Sequence, residues 1–97
     1  MRPIVLLRAA QEDLHRAARF YEGEAAELGV DFLVEIQRIF NLLEENPALG
    51  VPMRRGARKI LTRRFPYLII YRTEAEHTLV LAIGHQRRHP DFWLQRG

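Results

Sequence analysis

Residues 67–73 read YLIIYRT, an apolar run that follows a proline and ends in Arg72 and Thr73. Its first five residues are continuously apolar, which is typical of a central strand covered on more than one side. Strand-like runs also occupy residues 58–64 and 78–85. The connections between the three runs, at Pro66 and at residues 74–77, have the length of hairpin loops. The second half of the chain is therefore predicted to form an antiparallel meander.

The region before the meander has the periodicity of two helices. In the first, apolar residues recur at spacings of four, three, four and seven, which places them on one helix face: Ala10, Leu14, Ala17, Tyr21 and Leu28. Glu12 and Asp13 put acid near its start, where it complements the helix dipole. Gly29 is predicted to end this helix, and Asp31 to be the N-cap of the second.

The second helix carries its own apolar stripe and ends before Asn46 and Pro47. The stripe comprises Phe32, Ile36, Ile39, Phe40 and Leu43. So short a turn makes the two helices an antiparallel hairpin, whose apolar faces need a partner surface that the meander supplies. With a short strand at residues 3–8, residues 1–97 are predicted to be one α+β domain of order β-α-α-β-β-β. The hairpin is expected to pack on a small, mainly antiparallel sheet.

Charge is distributed unevenly along the chain, whose net charge is +3. Residues 1–50 hold five arginines and nine carboxylates, whereas residues 51–97 hold nine arginines, one lysine and three carboxylates. The halves therefore carry net charges of −4 and +7. Because arginine pairs bidentately with phosphate or carboxylate, the basic half predicts an anionic partner.

Several classes of protein are excluded by composition. The chain has no cysteine, which rules out a disulfide scaffold, thiol catalysis and a cysteine zinc site, and which fits a reducing cytoplasm. Its four histidines do not have the spacing of metal ligands. No apolar run approaches the ~18 residues of a membrane span. We therefore expect a cytoplasmic protein with no metal, no cofactor and no membrane contact.

Short motifs spread over the chain give it a likeness to a known group of proteins. They are Asp13-Leu14, Leu28-Gly29 to Phe32, Asn46-Pro47 with Gly50, Phe65-Pro66-Tyr67, Ile70-Tyr71-Arg72, and Ile83, His85, Arg88 and Pro90. In their order and spacing the chain resembles the RelE/ParE superfamily of type II toxins from residue 3 to residue 96. The resemblance implies the β-α-α-β-β-β fold and a small bacterial toxin held inactive, as a hetero-oligomer, by a cognate antitoxin encoded beside it.

The resemblance implies one of two activities, because RelE-like members cut messenger RNA on the ribosome and ParE-like members act on DNA gyrase. Cleavage of RNA needs a proton acceptor, a proton donor and fixed positive charge. The residues that could supply them are His85, His89, Arg87 and Arg88. However, residues 86–97 lack the tyrosine that the ribonucleases commonly carry there, and Lys59 is the only lysine where RelE-like members tend to be lysine-rich.

The sequence therefore favours a ParE-like toxin that inhibits gyrase by binding, rather than an enzyme. Two alternatives stay open: a ribosome-dependent mRNA endoribonuclease, and a non-toxic antitoxin-binding or co-repressor module. The predicted contacts with a target or an anion are Arg58, Arg63, Arg64, Arg87, Arg88 and Trp93. Trp93 could instead fold back over the hairpin. A groove for the antitoxin, between hairpin and sheet, is predicted to be lined by Phe32, Ile36, Phe40, Tyr67 and Tyr71.

Overall fold

Besides a single 3-10 turn at Arg54–Gly56, the computed structural model describes residues 2–97 as two α-helices and five strands. In chain order they are β1 (Ile4–Leu6), α1 (Arg8–Glu24), α2 (Leu28–Glu45), β2 (Val51–Pro52), β3 (Ala57–Leu61), β4 (Tyr67–Thr73) and β5 (Thr78–His85). The predicted α+β fold, with a helical hairpin on a mainly antiparallel sheet, is confirmed. The sequence did not predict β2, a two-residue edge strand that adds a fifth member to the sheet. No helix in this part of the chain combines the length and apolarity needed to cross a membrane.

The sheet has the order β1-β5-β4-β3-β2, in which β1 runs parallel to β5 and the other pairs are antiparallel. Because β1 is short, it pairs only with the first part of β5, from Thr78 to Val80. Between β4 and β5 the register shifts, since Ile70 pairs with Ala82 and Tyr71 with Val80. Leu81, which lies between Val80 and Ala82, is therefore the extra residue of a β-bulge.

Both faces of the sheet are covered, as the apolar run of β4 predicted. The hairpin packs on one face, where the core includes Phe32, Ile36, Ile69 and Tyr71. On the other face lies a second cluster formed by Ala57, Ile70, Leu81, Ala82 and Trp93. The C-terminal tail, residues 86–97, supplies the cover on that second face.

Trp93 lies in this second core, so its predicted role as a target contact is wrong. The residue is 2% exposed, and its Nε1 donates a hydrogen bond to the carbonyl of Pro90 at 2.9 Å. The alternative that it folds over the hairpin is also wrong, because it packs against the opposite face of the sheet. Burying its large ring anchors the tail to the sheet.

The turn between the helices differs from the sequence prediction. Gly29 lies inside α2, and it does not end α1. A Cβ at this position would lie 2.5 Å from the carbonyl oxygen of Ala18, so glycine lets the two helices approach closely. The carboxylate of Glu22 accepts the backbone N–H groups of Glu27 and Gly29, at 2.9 and 3.0 Å. Glu22 therefore caps α2, and the predicted N-cap, Asp31, lies in the first turn of that helix.

The predicted antitoxin groove between hairpin and sheet is closed. Of its five predicted residues, Tyr67 is half-buried. The other four are buried in the hairpin-side core: Phe32, Ile36, Phe40 and Tyr71. The Tyr71 hydroxyl donates to the carbonyl of Pro47 and accepts the N–H of Gly50, both at 2.8 Å. The groove prediction is therefore wrong, because these side chains fill the space that the groove was expected to leave open.

Candidate functional site

A cleft of ≈ 280 Å³ lies between α1 and the part of β5 that β1 does not cover. We call it the β5-edge cleft. Its lining combines charged groups, aromatic rings and apolar side chains, from Asp13, Arg16, Ala17, Phe20, Tyr67, Ile83, Gly84, His85 and Arg88. Because β1 ends at Leu6, side chains of α1, not a neighbouring strand, face the β5 edge beyond that point.

A buried carboxylate, that of Asp13, lies at the bottom of the cleft. Its side chain is 2% exposed, and its Oδ2 accepts the N–H of Ile83 at 3.0 Å and a hydrogen bond from Arg96 at 2.6 Å. The same Arg96 nitrogen donates to the carbonyl of Leu81 at 3.1 Å. These bonds satisfy backbone groups at the bulge and on the edge of β5 that no strand within residues 2–97 pairs. Asp13 and Arg96 thus take the place of a missing strand neighbour.

Positive charge exceeds negative charge around Asp13. In addition to Arg96, the guanidinium groups of Arg16 and Arg88 lie 3.8 and 3.9 Å from its Oδ1. Both are more exposed than Arg96, at 62% and 45% of the side chain against 19%. Arg88 also stacks on Phe92, with its guanidinium carbon 4.3 Å from the ring centroid. One carboxylate is therefore paired with three arginines, and two of these arginines face the solvent.

Tyr67 and His85 form the aromatic end of the cleft. Their rings meet edge to face with centroids 5.5 Å apart. Burial raises the pKa of the Tyr67 hydroxyl above its ordinary value, and the charges of Arg16 and Arg88 only partly offset that rise. The hydroxyl is therefore protonated at neutral pH and can donate a hydrogen bond. His85 accepts the backbone N–H of Arg87 at its Nδ1, 3.0 Å away, so in the neutral ring the proton is on Nε2.

The four residues of the predicted ribonuclease set do not lie together. His85 and Arg88 line the β5-edge cleft, whereas Arg87 and His89 are exposed and do not line it. His89 accepts the backbone N–H of Asp91 at its Nδ1, 3.1 Å away, and so helps to form a turn of the tail.

Arg58 has a structural role that the sequence did not reveal. Its Nη1 donates to the carbonyl oxygens of Gly50 and Ala48, at 2.7 and 3.2 Å, and the residue is half-buried. These hydrogen bonds hold the loop before β2, and the predicted anion contact of Arg58 stays a prediction. Tyr71, the cross-strand partner of Arg58, holds the same loop through its hydroxyl.

Arg63 and Arg64 lie in a second cleft, of ≈ 380 Å³, beside the N-terminal half of α2. Arg64 is paired with Asp31 at 3.2 Å. The Glu35 carboxylate in the same cleft accepts two hydrogen bonds from Arg38, at 2.7 and 2.8 Å. These bonds hold the pKa of Glu35 below its ordinary value despite partial burial. Much of the positive charge in this cleft is therefore balanced by carboxylates of α2.

Among the charged and aromatic side chains of the β5-edge cleft and its base, the sequence prediction missed four: Asp13, Arg16, Phe20 and Arg96. The sequence did contain a signal for Asp13, because this residue falls three residues after Ala10 and four before Ala17, inside the apolar stripe of α1. A carboxylate at such a position is buried and needs a partner. Within residues 2–97, histidines and carboxylates form no group of three or more that could hold a metal ion.

Comparison with known proteins finds a family and a similar fold. The sequence model of a family described as "ParE toxin of type II toxin-antitoxin system, parDE" matches residues 4–90. Among solved structures, a chain described as "Chromosomal ParDE TA system from P. aeruginosa" is similar with a TM-score of 0.65. The match covers 88% of this chain and 96% of that chain at 21% sequence identity, a level at which the likeness concerns the fold. No curated protein matches the sequence.

Proposed function

Since the chain belongs to the ParE toxin family of type II toxin–antitoxin systems, we propose that it binds DNA gyrase and inhibits it without hydrolysing a substrate. The observation that carries this proposal is the family match over residues 4–90. The placement of the histidines supports it, since the Nδ1 atoms of His85 and His89 each accept a backbone N–H of a turn. Both histidines thus have a structural use that does not require catalysis.

The test exposes gyrase and a translating cell extract to the purified protein in parallel. We expect loss of supercoiling by gyrase, restoration of supercoiling when the cognate antitoxin is added in equimolar amount, and intact mRNA in the extract. Gyrase that supercoils normally in an excess of the protein would contradict the proposal. Growth arrest on expression without the antitoxin would separately exclude a non-toxic module.

The endoribonuclease alternative rests on one observation, that His85 and Arg88 line the same cleft. It predicts that either His85→Ala or Arg88→Ala abolishes cutting of mRNA in a translating extract while the fold persists. Matched controls are His15→Ala and Arg19→Ala, because both residues are exposed on α1 and do not line the cleft. Equal cutting by all four variants would remove His85 and Arg88 as catalytic residues.

The antitoxin, in our proposal, covers the outer face of α2, because the groove first expected to hold it is filled. Val30, Leu33 and Val34 are adjacent on this face and are 55%, 41% and 63% exposed. A contiguous group of exposed apolar side chains on one helix is typical of a protein-binding surface.

A pair of valines tests this contact, because Val34 on α2 and Val51 on β2 are equally exposed, both at 63%. We expect Val34→Asp to weaken antitoxin binding at least tenfold and Val51→Asp to leave it within twofold. Calorimetric titration with the antitoxin measures both. Equal affinities for the two variants would place the antitoxin elsewhere.

A further inference from the structure

We propose that Arg16 and Arg88 bind a phosphate group of a nucleic-acid backbone in the β5-edge cleft. The phosphate site follows from the geometry of the cleft. Its natural source, which we assign to the DNA held by gyrase, rests on the proposed function.

The first argument is the excess of positive charge. Asp13 is the common partner of Arg16, Arg88 and Arg96, so the cluster holds two uncompensated positive charges. The Oδ2 atom of Asp13 accepts hydrogen bonds from Ile83 and Arg96. The guanidinium groups of Arg16 and Arg88 lie farther away, at 3.8 and 3.9 Å from its Oδ1. These two guanidinium groups therefore retain unused N–H donors, and an anion entering from solvent would lower the local electrostatic energy.

The number of donors favours phosphate over carboxylate. Two guanidinium groups offer paired N–H donors that match phosphate oxygens bidentately. The protonated hydroxyl of Tyr67 and the imidazole of His85 line the same cleft and add further donors. A phosphate group has more oxygens than a carboxylate and can use more of these donors. Arg88 is held in position for this by its stacking on Phe92 at 4.3 Å.

The aromatic side chains of the cleft favour a nucleotide as the bearer of the phosphate. Phe20 is 57% exposed on α1 at one side, and the rings of Tyr67 and His85 form the other end. Aromatic rings beside arginines are the common means of holding a sugar or base next to its phosphate without reading sequence. The cleft volume of ≈ 280 Å³ is small, so it would hold a single unit of the backbone.

The first test uses inorganic phosphate with the full-length protein. Phosphate replaces chloride at constant ionic strength, and NMR follows the arginine side-chain signals and the amides of Ile83 and Gly84. We expect saturable shifts at these positions in the wild-type protein and in the control Arg8→Ala/Arg19→Ala. The same shifts should be lost in Arg16→Ala/Arg88→Ala, which removes the same charge. Both arginines of the control are exposed on α1 and do not line the cleft.

The second test uses a short DNA duplex and measures affinity as a function of salt. Loss of one phosphate contact should reduce the slope of log affinity against log salt by about 0.9 in Arg16→Ala/Arg88→Ala relative to the control pair. Should the alanine pair fail to fold, Arg16→Lys/Arg88→Lys decides, because it keeps the charge and removes the bidentate geometry. We expect that variant to bind phosphate several-fold more weakly.

Three results would overturn the proposal. The first is phosphate binding that does not saturate or that is equal in the two double variants. The second is unchanged binding in the lysine pair. The third is tighter binding of a glutamate-containing peptide than of the duplex, at equal charge, since that would make the cleft a site for an acidic protein segment. Neither test contains gyrase, so failure here is distinguishable from failure of gyrase inhibition.

Discussion

The guanidinium of Arg96 lies 2.6 Å from the Oδ2 atom of Asp13, which joins the end of the chain to the middle of α1. Because Asp13 also accepts the N–H of Ile83, and Arg96 also donates to Leu81, this pair fixes the helix, the tail and the edge of β5 together. The cleft beside it depends on this arrangement. Asp13 and Arg96 are thus positioning residues for whatever binds there.

Removing the cation of this pair should destabilise the fold. We expect Arg96→Ala to lower the free energy of unfolding by about 2–3 kcal/mol, because it leaves a buried carboxylate with fewer partners. Arg19→Ala, at an exposed site on α1, should change it by less than about 0.5 kcal/mol. Denaturant unfolding measures both, and equal values would contradict the role given to the pair. A double-mutant cycle with Asp13→Asn should show coupling of about 1–3 kcal/mol.

Two glycines of the hairpin should respond in opposite directions to alanine. A Cβ at Gly29 would lie 2.5 Å from the carbonyl oxygen of Ala18, so Gly29→Ala should separate the helices and lower the free energy of unfolding by about 1–3 kcal/mol. At Gly23, inside α1, a Cβ meets nothing within 4 Å, so Gly23→Ala should raise the free energy of unfolding by up to about 1 kcal/mol. Thermal unfolding of the two variants measures the contrast. A stabilised Gly29→Ala would show that the helices are not in close contact there.

Much of the fold was predictable because local periodicity and burial agree along the chain. The stripe of α2 is buried as its spacing predicted, and the centre of the apolar run of β4, from Ile69 to Tyr71, is buried as its continuity predicted. The two-residue β2 was not predictable, since Val51 and Pro52 are too few to show a period. The helix turn was misread because glycine serves either as a helix end or as a point of close approach, and only tertiary packing separates the two uses of Gly29.

The candidate site was harder to predict than the fold, because its residues are brought together by contacts distant in sequence. Asp13 and Arg96 are 83 residues apart, and no local pattern connects them. The identity of a residue as arginine also does not reveal its role: Arg58 holds a loop, whereas Arg88 lines a cleft. Exposure, which the sequence does not encode directly, decides between these roles.

The only tryptophan reports directly on the packing of the tail. Because Trp93 is 2% exposed, its fluorescence should be blue-shifted and protected from iodide in the native protein, and both properties should be lost on unfolding. Trp93→Ala should lower the free energy of unfolding by about 3–5 kcal/mol. Trp93→Phe should lower the free energy of unfolding less and leave the proposed inhibition of gyrase unchanged. Native emission as red and as quenchable as that of the unfolded chain would mean that the tail does not cover the sheet.

The Glu35–Arg38 pair should make stability depend on pH in the acid range. The hydrogen bonds from Arg38 lower the pKa of Glu35 in the folded protein, below the 4.5 of an unperturbed glutamate. A depressed pKa means that the folded state favours the charged carboxylate. The resulting stabilisation is therefore complete above pH 4.5 and is lost as the pH falls through the folded-state value.

Comparison of the wild-type protein with Glu35→Gln isolates this effect. The difference in the free energy of unfolding between them should be constant from neutral pH to about pH 5 and should shrink at lower pH. Glu45→Gln is the matched control. Glu45 is exposed on the same helix, so this substitution removes the same charge without breaking the Glu35–Arg38 pair. Denaturant unfolding between pH 3 and pH 7, measured for all three proteins, decides the point. If the two variants show the same dependence on pH, the effect belongs to net charge and not to the contact between Glu35 and Arg38.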